Sequence, residues 1–483
     1  MNSTQTSLII PKSLRRQIQI LNILFQSNYS LNTQELAHNL DCTEKTLLSD
    51  IRYLQEILPS PISITIDRYK LIDFHTSDNH IFYETITEMV KTSPLYQIIK
   101  GIFQNNLIDL ESWADYLFLS DKTIKRYLLN LKSVLKNFNL RLSMHPVNLL
   151  GKEEDIRLFF FHLFSSSDLG IVKPEKIFYE LSQELVNELG KQLPILKTQQ
   201  KRSIFWALII LTRIENKQFI QTSVNDVRKP EYFSFYKEVH KKVLRKYGYD
   251  VDTIPDIEFV FADRMALDSV LYYDAATKLK FSREELPESD FEIVREILDK
   301  NFDINPEQHR VSYLTHLYFF ANIRTLSQFT PLFQKNTFEV NLLIKKNHPE
   351  IFAKWISIFK GLNPEWLTFI QHTEDVCVRL TMITTLFLPT RKSYRSVLIL
   401  LTGDTVFVDY IRRFLAEGID SNISLTYIYD NNISNLQVDN DKFDLIITNN
   451  SAEFPFSTTK TPIYSISMFP NESEVSHIQQ LLK

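Results

Sequence analysis

The sequence predicts a multidomain, mainly α chain: two tandem winged helix-turn-helix domains, two all-helical bundles and a C-terminal α/β domain. Three observations carry that expectation. A helix-turn-helix pattern occurs twice near the N-terminus, a long central stretch places apolar residues at helical spacing, and the end of the chain alternates short apolar strands with helices. With 483 residues, 44% of them apolar and 23% charged, the chain has ordinary globular composition and room for several domains. Boundaries are expected at 1–75 and 76–165 for the winged units, 166–285 and 286–392 for the bundles, and 393–483 for the α/β domain.

The two N-terminal copies lie seventy-seven residues apart. Leu36-Ala37-His38-Asn39-Leu40-Asp41-Cys42-Thr43-Glu44-Lys45-Thr46-Leu47 aligns with Trp113-Ala114-Asp115-Tyr116-Leu117-Phe118-Leu119-Ser120-Asp121-Lys122-Thr123-Ile124. In each, a helix stops at a short turn, and a hydroxyl (Thr43 or Ser120) stands where it can N-cap a second helix. That helix carries one apolar stripe, Leu47, Ile51 and Leu54 or Ile124, Leu128 and Leu131. Alternating residues follow on both sides of a turn. They are Ile62, Ile64 and Ile66 before Asp67-Arg68, and Leu140, Leu142 and Met144 before His145-Pro146, each reading as the hairpin of a wing.

From about Ser167 to Thr390 the pattern reads as wholly helical, interrupted by loops such as Arg228-Lys229-Pro230 and Asn305-Pro306. Two apolar helices there, Ser203 to Asn216 and Val311 to Ser327, each end near an arginine, Arg213 and Arg324, which suggests a second duplication. The tail offers strands at Val397 to Leu401, Ile423 to Tyr429, Phe443 to Thr448 and Pro462 to Ile466, with a helix from Val406 to Glu417. Strands alternating with helices imply a parallel sheet. The helix is apolar nearly all round, so burial against both the sheet and a partner is expected.

Composition excludes several functions. Only eight glycines are present, and the closest two, Gly403 and Gly418, are fifteen apart, so no glycine-rich phosphate cradle and no nucleophile elbow can form. Two cysteines, Cys42 and Cys377, cannot build a disulfide framework and suit a reducing cytoplasm. No cofactor, metal motif, catalytic constellation, signal peptide or membrane span is expected; His75 and His80 are too loose a pair to suggest a ligand set. The net charge of -4 gives no overall attraction to nucleic acid, so any such binding must be local.

A local source exists. Between Asp121 and Arg141, six bases face one acid. Lys122, Thr123, Lys125 and Arg126 occupy the first turns of the second recognition helix, where side chains reach bases and phosphates of double-stranded DNA, and Tyr127 adds packing or a phosphate hydrogen bond. The first unit offers Lys45, Thr46, Ser49 and Arg52 on its helix and Arg68 and Lys70 on its wing, opposed by Glu44 and Asp50. Few Asn or Gln side chains occupy these turns, so shape and deformability of curved, A/T-rich DNA are expected to matter more than base sequence.

Taken with Gly151-Lys152-Glu153-Glu154-Asp155-Ile156-Arg157-Leu158-Phe159-Phe160 after the second wing, this order of parts resembles the Mga and AtxA type of global virulence and metabolic regulators of Gram-positive bacteria. The resemblance covers nearly the whole chain. It implies a cytoplasmic, dimerising transcription regulator, with activation the favoured output. Its middle bundles would be phosphotransferase-system regulation domains (PRDs), its tail would resemble enzyme IIB of sugar phosphotransferase systems, and the homodimer would form through either region. It also implies control by the phosphocarrier protein through histidine. His316 matches one such position and His309 is the fallback on the same face, while Lys201, Asp263 and Ile383 stand at the others. In the tail, Leu401-Thr402-Gly403-Asp404-Thr405 lacks the phosphate-accepting cysteine, which argues against enzyme IIB chemistry. The competing readings are a phosphocarrier or sugar-transport component and an RNA-binding antiterminator.

Overall fold

The computed structural model describes all residues except 1–4, 7, 28–30, 166–173, 192–196, 199, 223–229, 269, 273–274, 337, 363–367, 388–394, 420–422, 429–441, 450–460, 468–469 and 482–483. The expected boundaries at 166 and 393, and the Arg228-Lys229 loop, lie outside the described residues. The chain divides into two compact units, residues 1–287 with 320–337 and 369–372, and residues 288–319 with 338–368 and 373–483.

In the first unit, helix α1 (Lys12–Gln26), strand β1 (Leu31–Asn32), α2 (Thr33–Asn39), α3 (Glu44–Ile57), β2 (Ser63–Ile66), β3 (Leu71–His75) and α4 (Asn79–Lys91) build the first winged helix-turn-helix. Its antiparallel sheet has the order β1-β3-β2. Leu47, Ile51 and Leu54 of α3 are fully buried, as their spacing predicts. The core extends past residue 75, because Phe82, Ile86, Met89 and Val90 of α4 close it from the C-terminal side.

The second copy comprises α5 (Pro94–Phe103), α6 (Leu110–Tyr116), α7 (Asp121–Asn130), α8 (Lys132–Asn137) and the hairpin β4 (Arg141–Met144) with β5 (Val147–Leu150). Gly101 is required by packing: a Cβ there would stand 2.5 Å from Cη2 of Trp113, so only glycine lets α5 lie this close to α6. The single recognition helix expected through Leu131 is broken, since α7 ends at Asn130 and α8 begins at Lys132. The N-terminal Leu8 and Ile10 pack with this second core, where the Ser93 hydroxyl donates to Leu8 O (2.5 Å) and accepts from Ile10 N (3.1 Å).

Helix α9 (Glu153–Ser165), buried along most of its length, then runs into a bundle of α10 (Lys176–Gly190), α11 (Gln200–Glu215), α12 (Pro230–Lys246), α13 (Asp256–Asp268) and α14 (Ala275–Glu285). One continuous apolar core joins the second winged unit to this bundle, containing Leu128, the α9 residues Phe159, Phe160 and Phe164, and Ile209. The stretch is not wholly helical, since β6 (Lys197–Thr198) pairs with β7 (Val270–Tyr272).

Helix α15 (Glu288–Phe302) opens the second unit, and α16 (Arg310–Ser327) is divided between the units after residue 319. Residues 320–337, expected in the second bundle, belong to the first unit: Leu326, Phe329 and Leu332 join its core and the Thr325 hydroxyl donates to Glu285 (2.8 Å). The second unit continues with α17 (Phe338–Asn347), α18 (Pro349–Gly361) and α19 (Thr373–Thr385). It ends in β8 (Arg395–Leu400), α20 (Thr405–Gly418), β9 (Ile423–Ile428), β10 (Leu445–Thr448), β11 (Ile463–Ser465) and α21 (Glu472–Leu481). Its sheet is parallel throughout, in the order β11-β10-β8-β9, which fulfils the α/β expectation.

Candidate nucleic-acid interface

Both recognition helices start on the same device. Thr43 Oγ1 accepts from Thr46 N (3.2 Å) and Ser120 Oγ accepts from Thr123 N (3.3 Å), each contributing about 1 kcal/mol to its helix. The hydroxyls of Thr46 and Thr123 also bond the cap hydroxyls, at 2.8 and 2.9 Å. These two threonines therefore brace their turns rather than standing free, although both retain some exposure.

With the apolar stripe buried, the opposite face is fixed. On α3, Lys45, Ser49 and Arg52 are exposed at successive turns. On α7, Lys122, Lys125 and Arg126 are exposed, and the Arg126 guanidinium lies 5.4 Å from the ring centroid of half-buried Tyr127. Among the described residues, Lys45, Arg52, Lys122, Lys125 and Arg126 form no ion pair. Five cationic side chains on two helix faces are thus available to phosphate oxygens.

The acids expected to oppose α3 are absorbed elsewhere. Asp50 is buried, ion-paired with Arg16 and bonded by Gln17 Nε2 (3.0 Å). Glu44 accepts from Thr33 Oγ1 (2.6 Å) and pairs with Lys70 (3.0 Å), contacts that hold its carboxyl below the usual range, the Thr33 hydroxyl foremost. Lys70, counted among the wing contacts, spends its charge on Glu44. Arg68 stays exposed at the wing tip, its guanidinium 5.0 Å from the Tyr69 ring centroid.

Two exposed aromatic residues beside α7 escape sequence reasoning. Phe118, in the turn between α6 and α7, is 94% exposed in a left-handed conformation (φ 54°), and Tyr116 is 65% exposed. A bulky residue at positive φ with its ring in solvent is costly in two ways. The signal was present in the repeat: Phe118 aligns with Asp41, which adopts the same conformation (φ 49°) but carries a residue suited to it.

Behind the second winged helix-turn-helix, within the first compact unit, lies a buried ionic quartet. Arg157 on α9 donates to Glu258 through Nη1 (2.6 Å) and Nη2 (3.0 Å) and to Glu153 through Nε (3.0 Å), and Arg213 of α11 makes two further bonds to Glu153 at 2.8 Å. Two positive and two negative groups balance, with Arg157 fully buried and the others nearly so. Burying four charges is tolerable only because each is paired and hydrogen-bonded. Glu153 and Arg157 were visible in the sequence as an i, i+4 pair, but their partners, 60 and 101 residues away, were not.

The histidine candidates separate by access. His316 is fully buried, its Nδ1–H donating to Ser312 O (2.8 Å) and its Nε2 bonded to the Thr384 hydroxyl (3.1 Å), and burial pushes its pKa down to about 4. Both ring nitrogens are therefore occupied and out of a donor's reach. His309 is exposed and lies just before α16 rather than on its face, with Nδ1 accepting from Asn305 N (3.3 Å).

In the tail, the N-terminus of α20, where an anion would sit, is occupied by the chain's own carboxylate. Asp404 accepts from Val406 N (3.1 Å) and Phe407 N (3.3 Å). The second apolar face of α20 is covered within the same unit, where Tyr410 packs on Ile344, Val378 and Met382. No helix among the described residues is long and apolar enough to cross a membrane, and no group of potential metal ligands occurs among them.

Comparison with known proteins agrees with this geometry. Residues 12–70 match the M protein trans-acting positive regulator (MGA) HTH domain and residues 78–164 the Mga helix-turn-helix domain. Over 98% of both chains the sequence is 22% identical to the capsule synthesis positive regulator AcpB of Bacillus anthracis. It is 21% identical to a putative trans-acting regulator of Streptococcus pneumoniae serotype 4, covering 91% of this chain and 92% of the relative. It is 19% identical to the anthrax toxin expression trans-acting positive regulator of Bacillus anthracis, over 99% of this chain and all of the relative.

Proposed function

We infer that this chain, an Mga/AtxA-type regulator with two helix-turn-helix domains in tandem, is a DNA-binding positive regulator of transcription acting in the cytoplasm. One observation carries the reading: the same capped recognition helix is built twice, each copy turning unpaired cations outward, and in the first copy the neighbouring acids Asp50 and Glu44 are taken up by Arg16 and Lys70. Relatives named as positive regulators of capsule and toxin expression support activation and virulence genes as its province; control of carbohydrate-metabolism genes is proposed beside it.

The exposed face of α7 is cationic and apolar, Lys122, Lys125 and Arg126 beside half-exposed Leu129, and its first two turns carry no amide side chain to read adenine bidentately, Asn130 standing at the far end. Recognition therefore runs through phosphates and DNA shape. On duplexes of equal length, a curved A/T-rich fragment is expected to bind at least tenfold tighter than a straight one in a mobility-shift titration. Equal affinity for the two contradicts shape readout.

The helical regions are proposed to act as PRDs and the tail as an enzyme IIB-like module that has lost phosphotransfer, with Asp404 filling the anion position. Either region supplies the surface for a homodimer, the usual symmetry of such regulators. Where the phosphocarrier protein acts on this chain, accessibility favours His309 over His316. Incubation with phosphorylated phosphocarrier is expected to add one phosphate by intact mass, and His309→Ala to abolish it; a gain that survives this variant and is lost in His316→Ala reverses the assignment.

A further inference from the structure

The bundle behind the second winged unit contains a partly open pocket with the makings of a ligand site. Helices α10, α11, α12 and α13 surround a cavity of about 120 Å³ walled chiefly by apolar side chains, among them Leu185, Trp206, Ile210 and Leu244. An engineered apolar cavity of roughly 150 Å³ stays dry and takes up benzene, so a compact molecule of about six to ten heavy atoms suits this space.

The wall is not uniformly apolar. His240 donates through Nδ1–H to Tyr236 O (3.1 Å), and among the described residues its Nε2 makes no hydrogen bond. Burial pushes its pKa down to about 4, so the ring is neutral at pH 7 and Nε2 is a bare acceptor. Trp206, 2% exposed, has an indole N–H with no acceptor among the described residues. A ligand hydroxyl or amide N–H donates to the bare His240 Nε2. Asp263 and Glu258, also in the wall and each 1% exposed, disfavour an anion.

We propose that this cavity binds a small, uncharged, largely apolar molecule carrying one hydroxyl or amide group, and that its occupancy is coupled to the second DNA-binding unit. Glu258 is a wall of the cavity and the partner of Arg157 on α9, the helix that follows the second wing. Helix α11 makes the same connection, carrying Trp206 and Ile210 on the cavity and Arg213 against Glu153 of α9. A ligand that prefers one packing of α11 and α13 thereby biases α9. The site stands independently of the DNA-binding reading; the coupling rests on it.

The test uses the full chain with phenol and cyclohexanol as probes and benzoate as the anionic counterpart, followed by saturation-transfer NMR and calorimetry. Saturable binding of both neutral probes is expected, with benzoate at least tenfold weaker. Filling the cavity by Ala207→Phe should weaken binding at least tenfold while far-UV circular dichroism is kept, with Ala266→Leu as the milder variant if Ala207→Phe disturbs folding. Saturating cyclohexanol should shift the Kd for a curved A/T-rich duplex at least threefold. Absence of saturable binding, or filled variants that bind as well as the parent, overturns the site. Binding with an unchanged duplex Kd overturns the coupling. Failure of the unliganded chain to bind any duplex sinks the DNA reading and leaves the NMR result to decide the site.

Discussion

Replacing Lys122, Lys125 and Arg126 together by Ala is expected to lower affinity for duplex DNA about a hundredfold at physiological salt and to flatten its salt dependence by nearly three in log–log slope. Each cation that neutralises a phosphate releases about 0.9 of a counterion, so three lost contacts remove about 2.7 from the slope. The loss should be similar on all sequences, since these are phosphate contacts more than base contacts. All three side chains are exposed on a helix whose buried stripe is Ile124 and Leu128, so folding is spared. Lys45→Ala with Arg52→Ala removes two contacts and should cost less. An unchanged slope in the triple variant contradicts the assignment of α7.

The largest expected effect on stability comes from the buried quartet. Arg157→Met leaves Glu258 with one backbone donor, Ile220 N at 2.8 Å, and no cation, a situation that costs about 3–5 kcal/mol. Glu258→Gln strands Arg157 more mildly, because Glu153 still accepts from its Nε. Urea unfolding followed by tryptophan fluorescence should show a transition at markedly lower denaturant in Arg157→Met. Trp113 and Trp206, both buried in the core that this quartet holds together, report it directly. Because α9 leads from the second wing into the bundle, DNA affinity should fall in the same variant. A midpoint within experimental error of the parent means that the quartet does not join the two parts.

Local features were legible in the sequence and distant pairings were not. Thr43 and Ser120 as caps, the buried stripes of α3 and α7, both wing hairpins and the alternating tail all depend on residues within one or two turns of each other, so spacing alone exposes them. The charge balance of the first unit was misjudged because Asp50 and Glu44 find partners 34 and 26 residues away. Residues 320–337 carry an apolar pattern that fits either neighbouring bundle, and only the tertiary structure decides that Phe329 meets Phe261, at 5.0 Å between ring centroids. His316 was a candidate acceptor because it matches a position that the family resemblance implies, and the sequence does not show that its ring is buried and bonded to Thr384. The cavity had no sequence signature, since its lining comes from four helices.

Hydrogen exchange of the full chain with and without a curved A/T-rich duplex tests the central claim most directly. Two tandem recognition helices on DNA predict slowed exchange confined chiefly to residues 44–57 and 121–130 and the adjoining hairpins, with the tail sheet of residues 395–465 unchanged. Binding that leaves both helices exchanging as before, or protects the tail in their place, contradicts it.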